Sequence, residues 1–175
     1  MNFRQLYEPE SSTYTYLFGC RDTGEAVLLD PVLETLDRDL SALQDLGLRL
    51  AYTLETHIHA DHVTSACRLR SLTGCKVAYP EMDGLPCADV GVSELSPLSV
   101  GSLTFNPLYT PGHTDDSYSF VMGDRVFTGQ GYLLSLALPG FFFHAATAYD
   151  LLRHQGLEIG KRDFLGELPP RRPPS

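Results

Sequence analysis

The chain has no basic stripe, no closely spaced cysteine pair and no long apolar run. Thirteen Lys and Arg face 22 Asp and Glu, a net charge of −9. Nothing in that balance neutralises a phosphate backbone, so nucleic acid is excluded as a partner. The four cysteines, Cys20, Cys67, Cys75 and Cys87, make neither a CxxC pair nor a zinc-knuckle spacing, and ordinary thiols in a reducing compartment are expected. No apolar stretch reaches the ~20 residues of a membrane helix. Met1 to Glu10 mixes Arg4, Glu8 and Glu10 with apolar residues, unlike a signal or transit peptide. No membrane partner and a cytoplasmic location are therefore expected. There is no internal repeat.

What is present fits one domain with a real core: 175 residues, 43% of them hydrophobic. Thr13 to Phe18 alternates, with Tyr14, Tyr16 and Phe18 on one face, which reads as a half-buried strand. Turn residues from Gly19 to Gly24 lead into Ala26–Leu29, a second strand of a hairpin that stops at Asp30-Pro31. Leu33, Leu36, Leu40, Leu43 and Leu46 recur at helical spacing, with Gly47 where the helix should end. Leu48 to Leu54 is the next strand, Asp61 to Leu72 the next helix with Gly74 closing it, and Val77 to Tyr79 a further strand. After a loop rich in Pro and Gly, strands are expected at Leu103–Tyr109, Ser117–Val121 and Arg125–Phe127. Strands alternating with helices after a hairpin give an α/β (α+β) architecture, sheets with helices packed outside.

Residues 131–175 change character. The first 130 residues carry 8 Lys/Arg and 18 Asp/Glu; the rest carry 5 and 4. Tyr132 to Phe143 is almost wholly apolar, and Pro169 to Ser175 is expected to be disordered. The division predicted is a domain over 1–130 and a divergent tail over 131–175.

The chemistry gathers in Thr56-His57-Ile58-His59-Ala60-Asp61-His62. Three imidazoles and a carboxylate at a strand end would be costly to bury without a metal or hydrogen-bond partners, and neutral imidazole suits zinc or iron. Thr110-Pro111-Gly112-His113 presents another histidine from a tight turn, the natural third nitrogen ligand. Asp30, ending its strand, either orients a ligand histidine or is a plain turn aspartate. His144 and His154 read as ordinary histidines.

The HxHxDH loop, Asp30 and the TPGHT segment (Thr110 to Thr114) resemble the metallo-β-lactamase superfamily. Within it, Phe3 to Pro9, Asp30 to Thr35 and Thr56 to His62 are similar to the persulfide dioxygenases, over residues 3 to about 129. The resemblance implies an αββα sandwich, altered at its C-terminal end, and one Fe(II) held by His57, His113 and a carboxylate. It implies that His59, Asp61 and His62 line the site as catalytic residues; in two-zinc relatives their counterparts hold metal. It implies oxidation of glutathione persulfide by O₂ to sulfite and glutathione, and a homodimer. Zinc is the alternative metal, for a glyoxalase II-like thioester hydrolase, which shares the HxHxDH loop; a non-catalytic remnant is the third reading.

The family's ligand aspartate falls in an FTGD segment, here Phe127-Thr128-Gly129-Gln130, so Gln130 offers a neutral amide where an anion is expected. The family's glutathione-holding Gly-Cys-Gly-Arg-Thr-Asp-Phe stretch is replaced by Ala137 to Phe143, and its later His-Asp-Tyr segment has no counterpart. Agreement ends sharply at Gly129, as a change of reading frame would make it.

Overall fold

Alternation between buried and half-exposed side chains builds the first hairpin. Strand β1 (Asn2–Glu8) pairs antiparallel with β2 (Thr13–Gly19), and β2 with β3 (Glu25–Leu29). This computed structural model describes residues 1–81, 85, 87–129, 138–160 and 163. A single 3₁₀ turn (Leu33–Thr35) leads into α1 (Leu36–Asp45), and Gly47 follows in the left-handed conformation that ends the helix. Then come β4 (Arg49–Leu54), α2 (Ala66–Thr73), β5 (Lys76–Pro80), β6 (Val90–Val92), β7 (Leu98–Val100), β8 (Leu103–Tyr109), β9 (Tyr118–Met122) and β10 (Arg125–Phe127).

Two sheets result. One has six strands in the order β1-β2-β3-β4-β5-β6, and its β3 to β6 run parallel; the other has four, ordered β10-β9-β8-β7 and antiparallel. Their inner faces meet over Phe18, Val27, Leu29, Leu54, Phe105 and Phe120, all without solvent exposure. On the outer face of the six-stranded sheet, Leu17, Ala26, Leu28 and Leu50 pack with Ala42 and Leu43 of α1 and Leu69 of α2. The parallel order places the C-terminal ends of β3 and β4 side by side at one edge, where a loop from each can meet the other.

The helix expected from Asp61 starts five residues later, at Ala66. The intervening stretch is tied down elsewhere: Val63 O accepts the Leu33 amide at 2.9 Å, and the Ser65 amide donates to Pro31 O at 2.9 Å. Those bonds hold His59 to Thr64 as a loop rather than a first helical turn. Strands β6 and β7, of three residues each, lie in the stretch read from sequence as a loop rich in Pro and Gly. The thiol reading is corrected as well. Cys67 and Cys87 are disulfide-bonded with Cα atoms 6.3 Å apart, because the fold brings the start of α2 against the loop after β5; Cys20 and Cys75 are free and buried.

The chain divides into two compact units, Met1–Leu136 and Ala137–Ser175. In the second, α3 (Leu138–His154) is a helix within the segment read as a divergent tail, and its Phe141, Phe142 and Phe143 are exposed. The expected disorder of 169–175 lies outside the described residues. No described helix is long and apolar enough to cross a membrane.

One helix residue sets a stability test. Asp39, fully buried on α1, takes Nε of Arg38 at 2.9 Å on Oδ1, while Oδ2 has no partner. Burial pushes its carboxyl from 3.8 up to about 6, against the pull of the Arg38 guanidinium. Between those values the folded chain keeps a proton that the unfolded chain releases, so stability falls as pH rises through the window. Two pH units correspond to about 3 kcal/mol at most. Urea unfolding of Asp39→Asn should lose most of this pH dependence between about pH 4 and 7; an unchanged slope would locate it in other groups.

Candidate metal centre

The strand ends β3 and β4 lie in parallel, so Asp30 and the Thr56–His62 loop emerge together. Asp30 is 2% exposed and adopts φ +50°, a left-handed turn that Asp tolerates and most residues do not. Its Oδ1 accepts the Thr56 amide at 2.7 Å and faces His59 Nε2 at 3.1 Å; its Oδ2 accepts the Thr56 hydroxyl at 2.9 Å. Of the two sequence readings of Asp30, the orienting role is the one these bonds describe.

The proton positions follow from counting hydrogens. A carboxylate only accepts, so the Thr56 hydroxyl gives its one proton to Asp30. Thr56 Oγ1 then accepts from His57 Nδ1, 2.8 Å away, and His57 Nε2 is left with a bare lone pair. Burial, then the charge on His59, push the His57 imidazole down to about 4, so it stays neutral, as a ligand must. His59 is the opposite case. Burial opposes its charge, but Asp30, and then Glu55 Oε2 at 3.3 Å from the same Nε2, drive it up to about 10. With Nε2 held by the two carboxylates, Nδ1 faces Asp61 Oδ1 at 3.8 Å.

Asp30 itself is pushed up by burial, but the charge and hydrogen bond of His59 and the Thr56 amide outweigh this and hold it below its ordinary value. Glu55 is fully buried; burial raises it to about 7 against the pull of His59, and its Oε1 accepts the Thr64 hydroxyl at 2.5 Å.

His113 arrives from the other sheet, on the β8–β9 turn. Its ring stands 4.9 Å from that of His57 and nearly perpendicular, and His59 lies 4.1 Å from His57 and 4.2 Å from His62. Two hydrogen bonds join the loops: the Ile58 amide donates to the Asp116 side chain at Oδ2, 2.6 Å away, and the Tyr118 amide to Thr56 O at 2.8 Å. His59, Asp61 and His62 bring ligand atoms within 4.8 Å of one another. His62 is pushed down by burial and by the charge of His59; its side chain is 3% exposed and its Nε2 has no partner. Asp61 is half exposed.

Asp30, His57, His59, Asp61 and His113 line a cavity of about 390 Å³, walled also by Tyr14, Tyr16 and Thr128. Gly129 closes against the histidine loop: a Cβ there would stand 3.0 Å from His57 Cε1 and 3.1 Å from Thr56 Oγ1, so a side chain would crowd both groups and oblige them to shift by a few tenths of an ångström. Burial, followed by the Asp30 charge, raises the Tyr16 phenol and keeps it a donor at the cavity wall. The structure thus brings together His57, His59, Asp61, His62 and His113. Gln130, expected beside them, lies outside the described residues. Sequence reasoning missed Glu55, Thr56 and Asp116, whose only signal was adjacency to a histidine or to the TPGHT turn.

A family model described as the metallo-beta-lactamase superfamily matches residues 9–129. The chain belongs to that superfamily. A second model, a domain of unknown function (DUF1993), matches residues 110–165. The mitochondrial persulfide dioxygenase ETHE1 of Mus musculus is 43% identical over 134 residues, covering 75% of this chain and 52% of the mouse protein. A hydroxyacylglutathione hydrolase of Rhodospirillum rubrum is 32% identical over 123 residues, 68% of this chain and 47% of its own length. Among solved structures, ETHE1 from Myxococcus xanthus superposes with a TM-score of 0.70 at 52% identity, covering 73% of this chain and 56% of that one. The chain spans about half the length of the curated relatives it matches.

Superfamily membership implies a metal, and the donors suit one. A bare His57 Nε2 and the unpartnered, buried His62 Nε2 are what a site built for a cation leaves open.

Proposed function

We propose that this chain carries the metal half-site of a persulfide dioxygenase, oxidising glutathione persulfide with O₂ to sulfite and glutathione. The carrying observation is the 43% identity to persulfide dioxygenase over a stretch that includes the histidine loop. His57, through Nε2, and His113 would hold one Fe(II) there, with His59, Asp61 and His62 lining the site. Bound iron supplies open positions for a sulfur ligand and for O₂. The protein's own part is positioning. Asp30 and Thr56 fix the His57 ring, Gly129 lets the backbone pass close beside it, and Tyr16 lines the cavity where substrate would sit.

The relatives that hydrolyse hydroxyacylglutathione support a second reading, a zinc thioester hydrolase, because His59, Asp61 and His62 already form a compact donor group. Both readings meet the same obstacle in Gln130, which has no charge to offer a cation.

Metal analysis of the purified chain, beside Gln130→Asp, is the test. The variant should bind Fe(II) at least about tenfold more tightly and take up O₂ with glutathione persulfide. Zinc retention with S-lactoylglutathione hydrolysis would favour the hydrolase. If neither protein holds metal, the chain is a non-catalytic remnant.

A further inference from the structure

The Cys67–Cys87 disulfide joins two pieces of chain that other bonds already hold together. Arg70 Nη1, on α2, donates to Cys87 O at 3.0 Å and to Asp89 Oδ1 at 3.1 Å. Asp89 Oδ2 accepts the Val77 amide of β5 at 2.9 Å, and the Asp89 amide donates back to Val77 O at 2.8 Å. Leu85, Cys87 and Ala88 also pack against Ala66, Val77 and Tyr79. With those ties in place, opening the sulfur bond leaves the two cysteines near one another and able to join again.

The two sulfurs are not equivalent. Cys67 is exposed and is the second residue of α2, whereas Cys87 is half-buried in the packing just described. An incoming thiolate therefore meets Cys67 first. The free amides of the helix's first turn also favour a negative sulfur there once the bond is open. Neither cysteine lines the cavity at the histidines, and the dioxygenase chemistry proposed above uses neither.

We propose that Cys67–Cys87 is a thiol–disulfide exchange site, at which a low-molecular-weight thiol is taken up on Cys67. The thiolate attacks Cys67 Sγ, and a new sulfur–sulfur bond forms there as the Cys67–Cys87 bond breaks. The electron pair leaves with Cys87 as its thiolate, which takes a proton from water. A second thiolate attacks the mixed disulfide, releasing Cys67 as a thiolate and the small-molecule disulfide. Glutathione is the thiol that the proposed dioxygenase reaction releases, so the site would respond to product. That link rests on the proposed function; exchange at Cys67 does not.

Trypsin places each of the four cysteines on a separate peptide, so non-reducing mass spectrometry after rapid alkylation reads every pairing. The full chain is titrated with mixtures of reduced and oxidised glutathione. The linked Cys67–Cys87 peptide should be lost as the reduced form rises, with glutathione appearing on the Cys67 peptide and alkylation on the Cys87 peptide. Cys87→Ser should take up glutathione on Cys67 from oxidised glutathione, and Cys67→Ser should leave Cys87 almost unmodified. Far-UV circular dichroism and hydrogen-exchange protection in β2 to β5 should not change on reduction. A link that survives every glutathione ratio, or an adduct on Cys87 in place of Cys67, overturns the proposal. Unfolding on reduction does the same, because the bond is then a structural staple. Should Cys87→Ser fail to fold, the wild-type peptide map decides. Absence of O₂ uptake with glutathione persulfide, beside a normal exchange map, counts against the dioxygenase reading alone.

Discussion

Asp30→Ala is expected to be the most damaging substitution at the site, costing about 3–5 kcal/mol in urea unfolding and lowering metal affinity roughly 10–100-fold. Two effects combine. Alanine removes the acceptor for the Thr56 amide, the Thr56 hydroxyl and His59 Nε2, leaving buried donors unpaired. It also inherits φ +50°, which costs an alanine roughly 1–2 kcal/mol. Asp30→Asn separates them: asparagine tolerates the left-handed turn and keeps one acceptor oxygen, so it should recover part of the stability but little of the metal affinity. With no acceptor, Thr56 is free to turn its proton toward His57, and the ring loses the tautomer that exposes Nε2. Equal damage from both variants would place the whole effect in the carboxylate's charge.

The second large effect lies in the core. Phe18→Ala should cost about 3–5 kcal/mol, the range for a buried phenylalanine that leaves a cavity. Phe18 is fully buried between the sheets, its ring edge-on to Phe105 at 5.1 Å and to Phe127 at 4.8 Å. Phe127 ends β10 and is followed directly by Thr128 and Gly129, which line the cavity. A void beneath Phe127 therefore loosens the wall that closes on His57. Differential hydrogen exchange should show faster opening at residues 118–127 as well as in β2. Protection lost in β2 alone would mean that the sheets are held together without this aromatic contact.

Much of this arrangement is legible in the chain itself. The alternation of Thr13 to Phe18, the leucine spacing of α1 and the histidine loop each state their element locally. What stays hidden is set by distance in space. Nothing about Asp116 marks it as the acceptor for Ile58, fifty-eight positions earlier, and nothing in Thr13 announces a neighbour at His62. The start of α2 misleads for a related reason: Ala66 and Leu69 keep helical spacing with residues upstream, but bonds to Pro31 and Leu33 claim the backbone there. Cys67 and Cys87 meet only because α2 and the loop after β5 fold together.

The hydrogen bonds between the two loops have one more consequence. His57 and His113 come from different sheets, yet Ile58–Asp116 and Tyr118–Thr56 set their loops side by side before any ligand arrives. The entropy of gathering distant donors is met during folding, by bonds that involve no imidazole. Affinity at such a preorganised centre is then governed by the charge and number of the donors rather than by how readily the loops can be brought together.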